Sequence, residues 1–216
     1  MTTPTRRAAG RPQNTDSRNA ILILQAALGE FSTQGYAATT ASGVARRAAI
    51  SLRTVQRLFP SKDDFFREVV RMTVIQTIEA TAAAEGELEA TAVDQVRRFA
   101  HRYWRSMERP EMVALMRLTV AELPRFPELA VFHTSESLER LLRELERIVA
   151  GGVARGELRT LDVRASARTV LATLGAHALW FAYPDIYSGL TGMDRERAAA
   201  LTIETLLQSL GAPTSG

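Results

Sequence analysis

The 216-residue chain is 46% apolar, carries a formal net charge of +3, and contains three histidines and no cysteine. That apolar share can build the core of one large or two small domains, while the missing cysteine excludes disulfides, thiolate metal sites and cysteine nucleophiles. The opening MTTPTRRAAGRP lacks the apolar stretch of a secretory signal, and no run nears the ~18 apolar residues of a membrane span, so a soluble, cytoplasmic protein without membrane insertion is expected.

The charge is unevenly distributed. Residues 1–62 hold nine Arg or Lys against two acids, whereas the remainder is mildly acidic. A basic quarter on a near-neutral body is the footprint of a protein that meets a polyanion with one part only.

Apolar residues recur at helical spacing almost throughout, and no stretch sustains the alternation of a half-buried strand, so the fold is expected to be all-α. Residues 1–15 read as a flexible basic arm, in which Arg6-Arg7 and Gly10-Arg11-Pro12 resemble segments that place arginine in a narrow minor groove. Ile21, Leu24, Leu28 and Phe31 then form the stripe of a helix over about 16–34 that stops before Gly35. Thr40 is placed to cap a short helix over 41–48 with Val44, Ala45 and Ala48 inward. After a tight turn through Ala49 and Ile50, Ser51 can cap a helix over 52–58, which Phe59-Pro60 terminates because the residue before proline is pushed out of the α region. Ser61 and Asp64 have capping-box spacing and begin a longer helix carrying Phe65, Phe66, Val69, Met72 and Ile75.

The segment EGELEATAV, 85–93, marks a connection, and further helices are expected near 91–108, 111–123, 128–155, 163–183 and 194–211. Pro110, the LPRFP segment at 123–127, the glycine-rich 151–156 and the stretch from Pro184 to Gly192 separate them. In the third of these helices Leu138, Leu141, Leu142, Leu145, Ile148 and Val149 make an inward stripe.

Two short helices joined by a tight turn, packed on a longer one in a basic segment, describe a helix-turn-helix. On the second of them Leu52, Val55 and Phe59 fall within about 60° and face the preceding helices, which leaves Arg53, Thr54, Arg57 and Leu58 on the other side with Gln56 at its margin. Arginine can fork onto guanine or grip phosphate, and glutamine can pair bidentately with adenine. That side suits a major groove.

The residues ILxxAL at 23–28, FSTQGY at 31–36, TT at 39–40, VA at 44–45, IS at 50–51, TV at 54–55 and FPSKDD at 59–64 resemble the DNA-binding domain of the TetR family of bacterial transcriptional regulators. The likeness runs without a gap from Arg18 to about Val70. It implies a homodimer whose three N-terminal helices, residues 16–61, form the helix-turn-helix domain and whose larger helical domain, 62–211, binds an effector and dimerises, before a disordered tail at 212–216. Carried over by position, Thr40 contacts phosphate, Arg53, Thr54, Gln56 and Arg57 sit on the recognition helix beside its cap Ser51, and Lys62 clamps phosphate. Thr40 and Ser51 can equally be simple helix caps. The family often has glycine where Ala49 stands; if that turn needs positive φ, alanine costs on the order of 1 kcal/mol. Gln56 and Leu58 replace a usual aromatic and a usual His or Tyr, so the operator cannot be copied from relatives.

Weaker likenesses, AELPRFPELA at 121–130 and ARGELR at 154–159, support an effector domain without naming a ligand. A small-molecule pocket would draw on Phe99, Tyr103, Trp104, Met112, Met116, Leu118, Phe126 and Trp180, each of which can instead be ordinary core. The dimer interface is expected on the last two helices through Leu171, Leu174, Ala178, Phe181, Ile203, Leu206 and Leu210, with Ala172, Gly175 and Ala176 permitting close approach, unless those stripes are buried within one subunit. His101, His133 and His177 fall on separate helices, and no catalytic or nucleotide-binding fingerprint occurs. No catalytic residue, metal or cofactor is therefore expected. The function that follows is a ligand-responsive repressor acting as a homodimer on a palindromic operator; an activator, or a regulator-like protein that binds a ligand or protein partner without DNA, are the alternatives.

Overall fold

The computed structural model describes the backbone of residues 12–82 and 90–212 and the side chains of 15–73 and 90–212; all the regular structure among them is helical. Residues 1–11 of the arm, the tail beyond residue 212 and most of the 85–93 connection lie outside the described residues, whereas 12–15, expected as the end of the flexible arm, are helical and open the first helix. The chain forms two compact units that divide between Val69 and Val70.

In the first unit α1, Pro12–Ala38, breaks its helical backbone at Gly35, whose φ of 81° and ψ of 167° suit a residue without Cβ. Ile23, Leu24, Ala27, Leu28 and Phe31 are buried along it. Ile21 is not: it is 53% exposed, because at ~100° per residue it lies about 120° from Ala27, the middle of the inward face. α2, Ala41–Ala48, starts at Thr40, whose hydroxyl accepts from the Gly43 amide at 3.1 Å, a cap worth about 1 kcal/mol. It ends in paired bonds, Ile50 N–H to Ala45 O at 3.1 Å and Ala49 N–H to Arg46 O at 3.3 Å, the Schellman pattern with Ala49 in the left-handed position at φ 54°. α3, Leu52–Leu58, is capped by Ser51, which accepts from the Thr54 amide at 3.2 Å. α4, Lys62–Ala82, opens with the expected reciprocal box: Ser61 Oγ accepts from the Asp64 amide at 3.1 Å, and Asp64 Oδ2 accepts from the Ser61 amide at 2.9 Å. The core of this unit joins Phe31, Val44, Val55, Phe65 and Phe66.

The second unit contains the rest of α4 with α5, Ala92–Ser106; α6, Pro110–Glu122; α7, Pro127–His133; α8, Glu139–Ala154; α9, Val163–Ala182; and α10, Arg195–Ser209. Thr91, Asp162 and Asp194 cap α5, α9 and α10 by accepting the amide three residues on. One core joins Phe99 and Tyr103 of α5, Leu145 and Ile148 of α8, Val170 and Leu174 of α9, and Ile203 and Leu206 of α10. The helix expected over 128–155 is not continuous. A π-helical segment, Thr134–Leu138, separates α7 from α8, and its wider turn shifts the register so that Leu138 leaves the inward stripe and is exposed.

Candidate nucleic-acid interface and effector cavity

α3 is a short helix fixed at both ends. Val55 is fully buried and Phe59 nearly so, while Ser51, Arg53, Gln56 and Arg57 are exposed and Thr54 is half-buried. Leu52, expected inward, is 40% exposed, and Leu58, expected outward, is half-buried. Both lie about 60° from Val55, so angle does not separate them. Position along the axis does: the first turn of α3 stands clear of the core and the last lies against it.

The exposed side brings together Arg53, Gln56 and Arg57 with the hydroxyls of Ser51 and Thr54, which lie 2.8 Å apart. Arg53 has no partner among the described residues, whereas Arg57 is held by Asp16 of α1 through two bonds of 2.6 and 3.0 Å. Arg57's hydrogen bonds keep the Asp16 carboxyl below its ordinary range. The pair is 41 residues apart in the chain, beyond the reach of any spacing signal.

Thr40 and Lys62 lie outside α3, at the starts of α2 and α4. The Thr40 hydroxyl, already capping α2, lies 3.1 Å from Ser42 Oγ. Lys62 Nζ donates to the Ala37 carbonyl at 2.8 Å and sits 4.7 Å from the centre of the Tyr36 ring. Tyr36 also donates to Asp63 and stacks on Phe31 at 5.4 Å; burial, then Asp63, raises its phenol well above its ordinary value. The start of α4 is thus clamped to the end of α1. A second clamp joins α1 to α2, where buried Glu30 accepts from Arg47 at 3.3 Å and from Gln34. There Gly43 gives Glu30 its room, since a Cβ would fall 2.7 Å from Glu30 Oε2 and the carboxylate would have to shift.

In the second unit a cavity of about 1010 Å³ lies among α4 to α9. Of the residues expected in it from sequence, Tyr103, Met112 and Met116 line its wall. Phe99, Trp104, Leu118, Phe126 and Trp180 do not. Phe99 and Leu118 are packed into the interior, and Trp104 lies in an aromatic cluster 5.7 Å from both the His177 and Phe181 rings, with Trp180 4.6 Å from His177. Large rings fill the core; the cavity survives where α9 presents Ala172, Gly175 and Ala176.

The residues expected at a dimer interface are mostly unavailable for one. Leu174, Ala178, Ile203, Leu206 and Leu210 are buried in the subunit's own core, Phe181 is partly buried against it, and Leu171 packs on the core while lining the cavity. Helical periodicity marks a buried face without saying which chain buries it. The outward face of α10 instead carries Leu201, 51% exposed.

Two family models match the chain. One, described as bacterial regulatory proteins of the tetR family, covers residues 23–69, and the other, described as the C-terminal domain of AefR-like transcriptional repressors, covers 94–211. The chain belongs to the TetR family of bacterial transcriptional regulators. This regulator is a DNA-binding transcription factor of the ligand-responsive repressor class, not an enzyme. It is similar in structure to a TetR-family regulator from Mesorhizobium loti, with 25% identity, a TM-score of 0.68 and coverage of 90% of this chain and 97% of that one. The flavonoid-responsive regulator FrrA is 25% identical with a TM-score of 0.66, covering 90% and 95% of the two chains. The regulator FadR from Bacillus subtilis, in complex with stearoyl-CoA, shares the fold at 22% identity and a TM-score of 0.72, covering 86% and 96%. No curated protein matches the sequence. Among the described residues no helix is long and apolar enough to cross a membrane, and no cluster of candidate metal ligands occurs.

Proposed function

We propose that this TetR-family regulator acts in the cytoplasm as a homodimer on a palindromic operator, with residues 16–61 reading DNA and 62–211 holding effector and dimer contacts. The observation that carries this reading is the exposed side of α3, where Arg53, Gln56 and Arg57 project from a helix whose opposite side is anchored by Val55. Arg53 and Gln56 reach base edges or phosphate, the Ser51 and Thr54 hydroxyls and Thr40 serve phosphates, and Arg57 joins them by exchanging Asp16 for the duplex. Lys62 keeps its bond to Ala37 and presents its charge to the backbone beside the start of α4. Dimerisation through the outward face of α10, including Leu201, would set two recognition helices ~34–36 Å apart in successive major grooves.

The effector site is the cavity of the second unit. Thr73 of α4 lines it, and the same helix begins at Lys62 beside the DNA-reading elements. A ligand that favours one position of α4 over another therefore changes the spacing of the reading heads, provided its affinity for the two states differs. Selecting bound fragments from the source genome and footprinting them tests the reading. Two protected half-sites about one helical turn apart, released at high salt, are expected; a ligand-free protein that binds no duplex at any salt concentration overturns it.

A further inference from the structure

The cavity contains a set of polar groups that the protein leaves without partners. Its wall is chiefly apolar, with Met112, Leu115, Met116, Leu141 and Leu179 among the lining residues. Three lining side chains, Tyr103, His133 and Ser137, are each more than nine-tenths buried. No hydrogen bond within the protein satisfies the Tyr103 hydroxyl or the His133 ring among the described residues, and the Ser137 hydroxyl is buried with no partner. Two other lining hydroxyls are engaged: Ser106 Oγ donates to the Tyr103 carbonyl at 2.6 Å and Thr119 Oγ1 to the Leu115 carbonyl at 2.8 Å. Buried polar groups are ordinarily paired, so the buried unpaired Ser137 hydroxyl, together with the unpaired Tyr103 and His133 side chains that line the same cavity, marks where a ligand's polar atoms belong. His133 and Ser137 stand at the start and within the π-helical segment, a helical irregularity often found at functional sites.

All three groups are uncharged near neutral pH. Burial pushes the Tyr103 phenol up to about 12 and holds the His133 imidazole below its ordinary value. The cations that line the cavity are occupied or peripheral. Arg140 pairs with Glu136 at 2.6 Å, Arg143 with Glu139 at 3.5 Å and Arg164 with Glu146 at 3.4 Å; Arg168, the remaining lining arginine, has no ion pair among the described residues and is exposed. A carboxylate carried inward to Tyr103, His133 and Ser137 would lose its hydration without meeting a positive charge, whereas a hydroxyl or carbonyl would find donors and acceptors.

We propose that the effector of this regulator is an uncharged, mainly apolar molecule bearing a hydroxyl or carbonyl, whose polar end is held by Tyr103, His133 and Ser137. The proposal rests on the reading of this cavity as the effector site. Its test is calorimetric titration of the full chain at pH 7.5, without DNA, using two probes that share a nonyl chain and a benzene ring: neutral 4-nonylphenol and anionic 4-nonylbenzoate. The phenol should bind at least about tenfold more tightly. Tyr103→Phe and Ser137→Ala, each confirmed folded by circular dichroism, should each weaken it by about three- to tenfold, the range for one hydrogen bond, and leave the benzoate unchanged. Tighter binding of the benzoate that is lost in Arg168→Ala would place an anionic group at the rim and overturn the proposal. So would equal affinity for both probes, insensitivity of phenol binding to both substitutions, or binding of neither probe. Because DNA binding is measured separately on the ligand-free protein, failure of the operator reading leaves this result interpretable.

Discussion

Ala49→Gly should stabilise the protein. Ala49 closes α2 in the left-handed region, at φ 54° and ψ 36°, as the sole non-glycine residue with positive φ among the described residues. A residue with Cβ is strained there by about 1–2 kcal/mol relative to glycine. Glycine also widens the unfolded ensemble, which returns about 0.4–1 kcal/mol. The two paired amide bonds of Ala49 and Ile50 involve only backbone and survive the change, so the net gain spans about 0–1.6 kcal/mol and centres on ~0.8 kcal/mol. For a chain of this length that corresponds to a rise in Tm of about 1–4 °C. Thermal unfolding followed by far-ultraviolet circular dichroism, at one fixed protein concentration to hold any association constant, measures it. Ala49→Val should move Tm the other way, since a β-branched residue fits positive φ worst. A lowered Tm for Ala49→Gly would refute strain in this turn.

Gly152→Ala should destabilise the second unit by about 1–3 kcal/mol, the usual cost of overpacking, because its Cβ would lie 2.5 Å from Ala92 Cβ and 2.7 Å from Leu158 Cδ1; urea unfolding at constant slope reads the loss. His133 is buried with its imidazole held below the ordinary 6.5, so the unfolded chain binds the extra proton first. Stability from this source is full above ~6.5 and is lost as pH falls through that value towards the folded-state value. The urea midpoint should therefore drop between pH 7.5 and pH 5.5 by more in the native chain than in His133→Leu. Asp16→Ala should tighten DNA binding at low salt, since it removes the carboxylate that holds Arg57; a gel-shift titration showing weaker binding would contradict competition between Asp16 and phosphate.

Local chemistry is readable from the sequence because its signals are short. The caps at Thr40, Ser51 and Ser61, the helix break at Gly35 and the strained turn at Ala49 each depend on residues within a few positions of one another, and each stands where its residue types require. What a face packs against is a long-range property. The stripes of α9 and α10 correctly announce buried helices, but Leu174 and Ile203 face their own subunit's core. The cavity is harder still: large aromatics suggest a pocket and instead fill space, and the opening arises where small residues of α9 leave room. Its open polar groups, His133 and Ser137, lie at a π-helical segment that periodicity alone reads as plain helix. The Asp16–Arg57 pair, likewise, is set by how α1 meets α3 and not by any motif.

The recognition face of α3 is tested most directly by the salt dependence of operator binding for the native chain, Arg53→Ala and Arg57→Ala. Each substitution should weaken binding, and where the arginine meets phosphate it should also flatten the plot of log affinity against log salt by about 0.9 for each phosphate that is no longer neutralised, with oligomeric state and effector binding unchanged. Native affinity and native slope in both variants would show that this face does not meet DNA.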